Sequence, residues 1–397
     1  AILAQASSHP CVCRGAAMAG DTEDSPPLGP GAADATVEVS WLSGEVAPWP
    51  AGYSARELAQ ELARGRGLPK WASVRLFEGT AELACDDVVA GGRLTAVLSM
   101  PRLALSGGSD AALRLWDLDS GERLGDMRGH EGAVSALCAD LAGLKALSGA
   151  HDGTLRLWDL VSMACDRTVR ARDGPISALA ANFGRGAAAS CSMGSRVVRT
   201  WDLRRGECTA ELRGHLGEVT ALAIGAERSL LSASADRTLR VWSCFGSGGQ
   251  AAPVCRAVLS GHTGAICAAA ADFERARAAS GSRDRSVRVW DLASAACIAA
   301  LEDLSWPVYS IAADFVTGLL LAGSGQGALR VWRVGSPPEA PALVGHVGLV
   351  VVAADFGASI AVSGGDEGAL KVWQLNTMEC ARTVPSAHAG PVHVVAL

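Results

Sequence analysis

The 397-residue sequence lacks several features that mark common protein classes. It has 12 cysteines but no Cys-x-x-Cys pair, and only two tyrosines and six phenylalanines. No apolar run approaches the roughly 20 residues that a bilayer-spanning helix needs, and the N-terminal residues lack the basic-then-apolar pattern of a secretory signal. These absences argue against a membrane span, secretion, and a disulfide or zinc framework built on paired cysteines. We therefore expect a protein of the cytoplasm, with the nucleus as the alternative.

Net charge is also small over most of the chain. The formal net charge is −6, but residues 101–397 carry 28 basic and 29 acidic side chains. A nearly neutral body gives no global attraction to phosphate backbones or anionic lipids, so we expect no direct binding of nucleic acid or membrane. The sequence has no phosphate-binding loop, and the group His9, Cys11 and Cys13 has no second ligand pair nearby. We therefore expect no cofactor and no metal.

A repeated pattern runs through the sequence from residue 101 onward. An apolar-basic-apolar-Trp strand returns seven times, at intervals of 41 to 48 residues. Each copy alternates apolar and polar residues with period two between tight turns, which is typical of antiparallel strands. In the fifth copy the predicted strands are 265–273, 276–282, 286–290 and 296–302. The equivalent tryptophans are Trp116, Trp158, Trp201, Trp242, Trp290, Trp332 and Trp373.

This period, with its Trp-Asp endings and upstream Gly-His pairs, resembles the WD-repeat family, in which each repeat builds one four-stranded propeller blade. The resemblance predicts an all-β, seven-bladed β-propeller over residues 100–397. The C-terminal segment has the His and the inner strand of a further repeat, whereas residues 102–128 hold the three other strands without them. We therefore predict that residues 391–397 pair with the strands of 102–128 and close the ring without an open edge.

Four residue types recur at fixed spacing: the His of Gly-His, a Ser ten residues before the Trp, an Asp six before it, and the Trp itself. The resemblance implies that they form a buried hydrogen-bonded network in each blade. Ser, His and Asp together also suggest a hydrolase triad, but repetition of the constellation favours a structural network, so we predict no enzyme. The predicted networks are His130, Ser148, Asp152 and Trp158; His215, Ser232, Asp236 and Trp242; His262, Ser280, Asp284 and Trp290; and His388, Ser106, Asp110 and Trp116.

Three repeats depart from this pattern. The substituted positions are Arg172, Cys191 and Ser195 before Trp201; Leu304, Ala322 and Gln326 before Trp332; and Glu367 before Trp373. We predict that packing alone holds these blades and that they are the softest part of the ring. Four repeats also carry a cysteine seven residues after the Trp, which we predict to be a small buried hydrophobe. These cysteines are Cys165, Cys208, Cys297 and Cys380.

The N-terminal part divides into a tail and a small domain. Residues 1–35 are predicted to be disordered because Pro, Gly and acidic residues leave little to bury, and residues 1–17, before Met18, are expected to lie outside the native product. Strands are predicted at 36–45 and 93–98, and a helix begins at a capping box of Ser54 and Glu57. The element order over 36–99 resembles the ubiquitin-like β-grasp fold, with a generic α+β domain as the alternative. No terminal Gly-Gly follows, which implies a docking domain rather than a conjugated modifier.

One group of basic residues is a candidate binding site. Residues that flank the turn Asp are predicted to project from one face of the disc. Guanidinium groups suit carboxylate and phosphate, so we predict an arginine arc that binds an acidic or phosphorylated segment. The alternative is that these charges only keep tight turns solvated. The arc comprises Arg172, Arg196, Arg237, Arg283 and Arg285.

Taken together, these features predict a non-enzymatic protein-interaction scaffold or adaptor, either monomeric or part of a larger complex. A substrate-recruiting subunit of a ubiquitin ligase is one alternative, since WD-repeat and ubiquitin-like domains both occur there. A ribosome-assembly factor is another, because a ubiquitin-like domain before a WD-repeat propeller resembles the Notchless family. The propeller of that family has eight blades, whereas we count seven repeats here.

Overall fold

The structure is a computed structural model, and it describes twelve stretches that divide into two compact units between Arg102 and Leu103. No helix in these stretches has both the length and the apolar character needed to cross a lipid bilayer. The described residues are 36–41, 46–50, 53–65, 68–78, 81–84, 86–89, 92–171, 173–225, 229–244, 253–302, 304–335 and 342–397. The predicted tail, residues 1–35, therefore lies outside them.

The N-terminal unit packs one helix against a five-stranded sheet. Its elements are β1 (Thr36–Trp41), β2 (Val46–Pro50), α1 (Ala55–Gly65), β3 (Ser73–Glu78), β4 (Ala81–Glu82) and β5 (Gly92–Ser99). The strand order is β2-β1-β5-β3-β4, with β1 parallel to β5 and the other neighbours antiparallel.

The helix begins at the capping box that the sequence predicts. The Ser54 N–H donates to the Glu57 carboxylate over 3.0 Å, and the Glu57 N–H lies 3.3 Å from Ser54 Oγ. Leu58 and Leu62 lie one turn apart and are buried in a core that also contains Leu76. The helix is therefore held by its cap and by one apolar stripe.

The second unit contains seven four-stranded antiparallel sheets among the described residues, which we number I to VII. Sheet I contains β6 (Leu103–Gly108), β7 (Leu113–Asp117) and β8 (Arg123–Met127), together with the last strand of the chain, β33 (Val392–Ala396). The next three sheets contain β9 (Val134–Asp140), β10 (Lys145–Ala150), β11 (Thr154–Asp159) and β12 (Ala164–Arg170) in II; β13 (Ile176–Asn182), β14 (Ala187–Ser192), β15 (Val198–Asp202) and β16 (Glu207–Leu212) in III; and β17 (Val219–Ile224), β18 (Ser229–Ser234), β19 (Thr238–Ser243) and β20 (Val254–Ser260) in IV. The last three contain β21 (Ile266–Asp272), β22 (Arg277–Ser282), β23 (Val287–Asp291) and β24 (Ala296–Leu301) in V; β25 (Val308–Asp314), β26 (Leu319–Ser324), β27 (Ala328–Arg333) and β28 (Ala342–Val344) in VI; and β29 (Val350–Asp355), β30 (Ile360–Gly365), β31 (Leu370–Gln374) and β32 (Glu379–Val384) in VII.

Sheet I is assembled from both ends of this unit. β33 pairs antiparallel with β6, and Val395 lies opposite Ser106. In sheets II to VII the four strands are consecutive in the chain. The first strand of each of these sheets contacts the first strand of the next, and β33 contacts both β29 and β9. The seven sheets therefore form a closed ring.

The core of the ring lies between neighbouring sheets. The innermost strands bury small residues such as Ala268 and Ala270, whereas Trp290 is buried further out on β23. Sheets that radiate from a common axis are closest together near that axis, where small side chains fit and large ones do not. The abundance of Ala and the recurring Trp in the sequence have this geometric cause.

Candidate functional site

The predicted polar network in sheet V is a continuous chain of hydrogen bonds. His262 Nδ1 lies 2.8 Å from the Asp284 carboxylate, and His262 Nε2 lies 2.7 Å from Ser280 Oγ. The indole N–H of Trp290 donates to the same Ser280 oxygen over 2.8 Å. Asp284 also accepts the backbone N–H of Thr263, so it ties the loop that carries the histidine to the turn between β22 and β23.

The same arrangement recurs in the other sheets for which it is predicted. In sheets I, II and IV the corresponding distances all lie between 2.7 and 2.9 Å. The residues brought together are His388, Ser106, Asp110 and Trp116 in I; His130, Ser148, Asp152 and Trp158 in II; and His215, Ser232, Asp236 and Trp242 in IV. The network of sheet I includes His388, close in sequence to β33, and so joins the two ends of the unit.

The electrostatics of the network keep the imidazole neutral and the carboxylate charged. Burial lowers the pKa of His262, and Asp284 only partly opposes this. Burial acts to raise the pKa of Asp284, but hydrogen bonds from Ser286 and His262 outweigh it and lower the pKa to about 2. Asp152 and Asp236 have pKa values lowered to about 2 by the same balance of burial against hydrogen bonds.

This geometry gives the serine no role as a nucleophile. Ser280 has no exposed surface, and its hydroxyl is engaged by both an imidazole and an indole. A hydrolase needs an exposed oxygen beside an oxyanion site. What the network can do is satisfy buried polar groups and fix the loops at one edge of the ring.

Sheet VII corrects the prediction that packing alone holds it. Glu367 takes the place of Asp and lies 2.5 Å from His346 Nδ1. His346 Nε2 lies 2.6 Å from Ser363, which accepts the indole N–H of Trp373 over 2.7 Å. The longer glutamate side chain still reaches the ring, so the network is complete.

Sheet III also differs from its prediction. The indole of Trp201 donates to Ser190 over 2.8 Å, not to Cys191, because the turn between β14 and β15 is one residue longer than elsewhere. Arg199 forms ion pairs with Asp173 and with Glu211. These contacts add to packing, so the statement that packing alone holds sheet III is wrong.

Sheet VI keeps the fewest elements of the network. Leu304, Ala322 and Gln326 stand at the His, Ser and Asp positions. Leu304 and Ala322 have no side-chain hydrogen-bonding group, and Trp332 is buried in an apolar cluster that contains Ala322. Packing is the main support of this sheet.

The arginines of the proposed arc lie at one edge of the ring. Arg196, Arg237, Arg283 and Arg285 are exposed on the turns between the second and third strands of sheets III to V. None of these four forms an ion pair with a described residue. Arg172, the fifth member of the arc, lies outside the described residues.

Two of these arginines occupy a strained backbone position. The φ angles of Arg237 and Arg285 are 70° and 65°, in the left-handed region that costs a residue with a side chain about 1 kcal/mol. Both directly follow the turn Asp. The same position in sheets II, VI and VII is Gly153, Gly327 or Gly368, with φ of 73°, 79° and 78°. Neighbouring sheets IV and V therefore hold an arginine where glycine is the easier residue.

Exposed apolar residues share this edge, and the sequence analysis missed them. Leu216 is 77 % exposed and Val347 is 70 % exposed, each directly after a network histidine. Trp306 is 43 % exposed in the corresponding loop of sheet VI. The available signal was their position beside the histidine, where neighbouring repeats carry polar residues such as Glu131 and Thr263.

The four cysteines that follow the tryptophans are not buried. Cys208, Cys297 and Cys380 are exposed and Cys165 is half-buried. Each lies on the fourth strand, opposite the Trp and beside a bulge. The prediction of a buried position was wrong because no further layer covers these outer strands.

Within the described part of the chain, no cluster of His, Cys, Asp and Glu has the makings of a metal site. His9, Cys11 and Cys13 lie outside that part. No disulfide joins the nine cysteines of that part.

Comparisons with known proteins point to one kind of repeat. The family described as WD domain, G-beta repeat matches residues 121–159, 206–243 and 253–291, each from the outer strand of one sheet to the third strand of the next. Among solved structures, the crystal structure of the computationally designed Ika8 protein matches with 25% identity and a TM-score of 0.58, over 75% of this chain and 87% of that one. No curated protein matches the chain. The strand-rich repeats thus fit a WD-repeat β-propeller, and WD repeats generally mediate protein–protein interactions.

Proposed function

We propose that the chain is a non-enzymatic interaction scaffold or adaptor, made of a seven-bladed WD-repeat propeller preceded by a ubiquitin-like domain. The closed ring of seven sheets supports the blade number. The order β2-β1-β5-β3-β4, with a parallel central pair and one packed helix, supports the ubiquitin-like assignment. The protein works in the cytoplasm, with the nucleus as the alternative, and free thiols are usual in such reducing compartments.

One observation carries the proposal: the serines and histidines of the networks are buried, whereas arginines that form no ion pair with a described residue are exposed at the same edge. Ser280 has no exposed surface, but Arg237 and Arg285 are open to solvent. Guanidinium groups bind carboxylate or phosphate through paired hydrogen bonds. The arc therefore captures acidic or phosphorylated segments of partner proteins.

The test is affinity capture with quantitative mass spectrometry on the full chain. Arg237, Arg283 and Arg285 are changed together to Glu, and partners are expected to be lost. The matched control changes Arg185, Arg204 and Arg205 to Glu, which are exposed arginines at the opposite edge of sheet III. Partners retained by a folded arc variant would refute the proposal.

A role in a ubiquitin ligase is the second candidate, because the topology of the N-terminal sheet supports a ubiquitin-like domain. The same capture experiment addresses it. Stable recovery of ligase subunits supports this role, whereas co-sedimentation with pre-ribosomal particles supports ribosome assembly. The absence of both leaves the general scaffold.

A further inference from the structure

We propose, on the basis of the protein-binding function above, that Arg237 and Arg285 bind an extended partner segment in which carboxylate and large apolar side chains alternate. Each arginine receives one carboxylate, and the exposed Leu216 and Trp306 receive the apolar side chains. The two arginines are strained, and strained positions persist where the surrounding structure or function requires them. Glycine adopts a positive φ at lower cost than arginine, so the presence of a guanidinium group at both positions needs an explanation.

Each strained arginine has an exposed apolar residue at its side. The Leu216 N–H donates to the Asp236 carboxylate over 2.8 Å, directly beside Arg237. The Leu304 N–H donates to the Arg285 carbonyl oxygen over 3.1 Å, which brings the loop that contains Trp306 to that turn. A basic and an apolar residue are thus fixed together in two successive places along the edge.

The placement of charges favours separate carboxylates over one phosphate. Arg237 and Arg285 occupy the same position in neighbouring sheets, so the two guanidinium groups extend from two different turns. Arg283 lies on the other side of the turn Asp from Arg285, and its backbone N–H donates to the Ala265 carbonyl oxygen over 2.8 Å beside the inner strand. A phosphate site needs several donors aimed at one group. A segment with one acidic side chain for each of the two turns suits this arrangement instead.

The test measures fluorescence anisotropy of three labelled synthetic peptides of equal length with the full chain. The first alternates Glu with Leu and Trp, the second replaces Leu and Trp with Ser, and the third also replaces Glu with phosphoserine. We expect the first to bind most tightly. Arg237→Gly and Arg285→Gly should each weaken it about tenfold, and Leu216→Ser should also weaken it.

The glycine variants separate binding from folding. Relief of strain offsets the greater backbone entropy of glycine, so the melting temperature should not fall. Ala276→Gly is the matched control, since Ala276 also has a positive φ of 51° but lies at the opposite edge of sheet V. It should leave peptide affinity unchanged. The inference is overturned if both arginine variants bind the first peptide with full affinity. It is also overturned if the phosphoserine peptide binds as tightly as the first.

The two proposals can fail separately. The variant with Glu at positions 237, 283 and 285 can lose its protein partners while the first peptide binds no better than the other two. The scaffold function then stands, and this inference is wrong. If that variant keeps its partners, the scaffold function of the arc is wrong.

Discussion

A single serine hydroxyl satisfies two other buried polar groups in each complete network. Because Asp284 accepts the Nδ1 proton of His262, the Nε2 atom of that ring is an acceptor, and the Ser280 hydroxyl donates to it over 2.7 Å. The same oxygen accepts the indole N–H of Trp290. Loss of the hydroxyl therefore leaves a donor and an acceptor unpaired in a site without water access.

We expect Ser280→Ala to lower the free energy of unfolding by about 2 to 3 kcal/mol, measured by urea denaturation. Trp290→Phe removes the indole donor, so this substitution should lower the free energy of unfolding less in the Ser280→Ala variant than in the original chain. The control cycle combines Ser280→Ala with Trp116→Phe of sheet I, where the two costs should add. Additive costs within sheet V would show that the hydroxyl does not join the two rings.

Acid should destabilise the ring in two stages. Burial holds the pKa of the network histidines below the ordinary 6.5, so below that pH the unfolded chain takes up protons first and stability falls. Hydrogen bonds hold the pKa of Asp284 at about 2, below its ordinary value of 3.8. Stability therefore falls a second time as the pH drops from 3.8 to about 2.

The measurement is the urea midpoint as a function of pH, which should decrease from about pH 7 to 5 and again below about pH 4. Asp284→Asn should reduce the second decrease and enlarge the first, because the carboxylate no longer opposes the lowering of the His262 pKa by burial. A midpoint that stays constant or rises as the pH falls from 7 to 5 would contradict the assignment of buried neutral imidazoles.

At the scale of the strand, the sequence predicts positions well within an element and less well across a turn. The predicted strands of sheet V agree with β21 to β24 to within one residue at each end. Counting back from Trp201 selected Cys191 instead of Ser190, because the intervening turn has an extra residue. The exposure of Leu216 was missed because the strand pattern does not describe how a loop leaves its sheet, and only its position beside His215 indicated it.

Sheet VI should be the least protected element of the ring. It lacks the His and the Ser that tie its loop to its second strand, whereas sheet V has both. We expect amides of β25 to β27 to exchange with deuterium faster than those of β21 to β23, because local opening breaks fewer side-chain bonds. Hydrogen exchange with mass spectrometry checks this. Equal protection of the two sheets would mean that packing alone is sufficient.

At the scale of the molecule, the ring depends on one non-consecutive pairing. Six sheets draw their strands from continuous stretches of chain, but sheet I needs β33 to cover the edge of β6. An uncovered edge exposes unpaired backbone groups and the apolar flank of the neighbouring sheet. Val395 is 1 % exposed on β33 and packs in one cluster with Trp116 of sheet I and Val362 of sheet VII.

Val395→Asp should therefore open the ring, because it buries an unpaired carboxylate at the only junction in the described residues that no consecutive chain supports. We expect a loss of at least about 3 kcal/mol in urea denaturation and a larger hydrodynamic radius by size-exclusion chromatography. Val344→Asp is the control, since Val344 is 71 % exposed on the outer strand β28 and should change little. Matching stabilities and radii for the two variants would mean that the ring keeps its shape without the terminal strand, and closure would then have to come from packing between sheets I and VII alone.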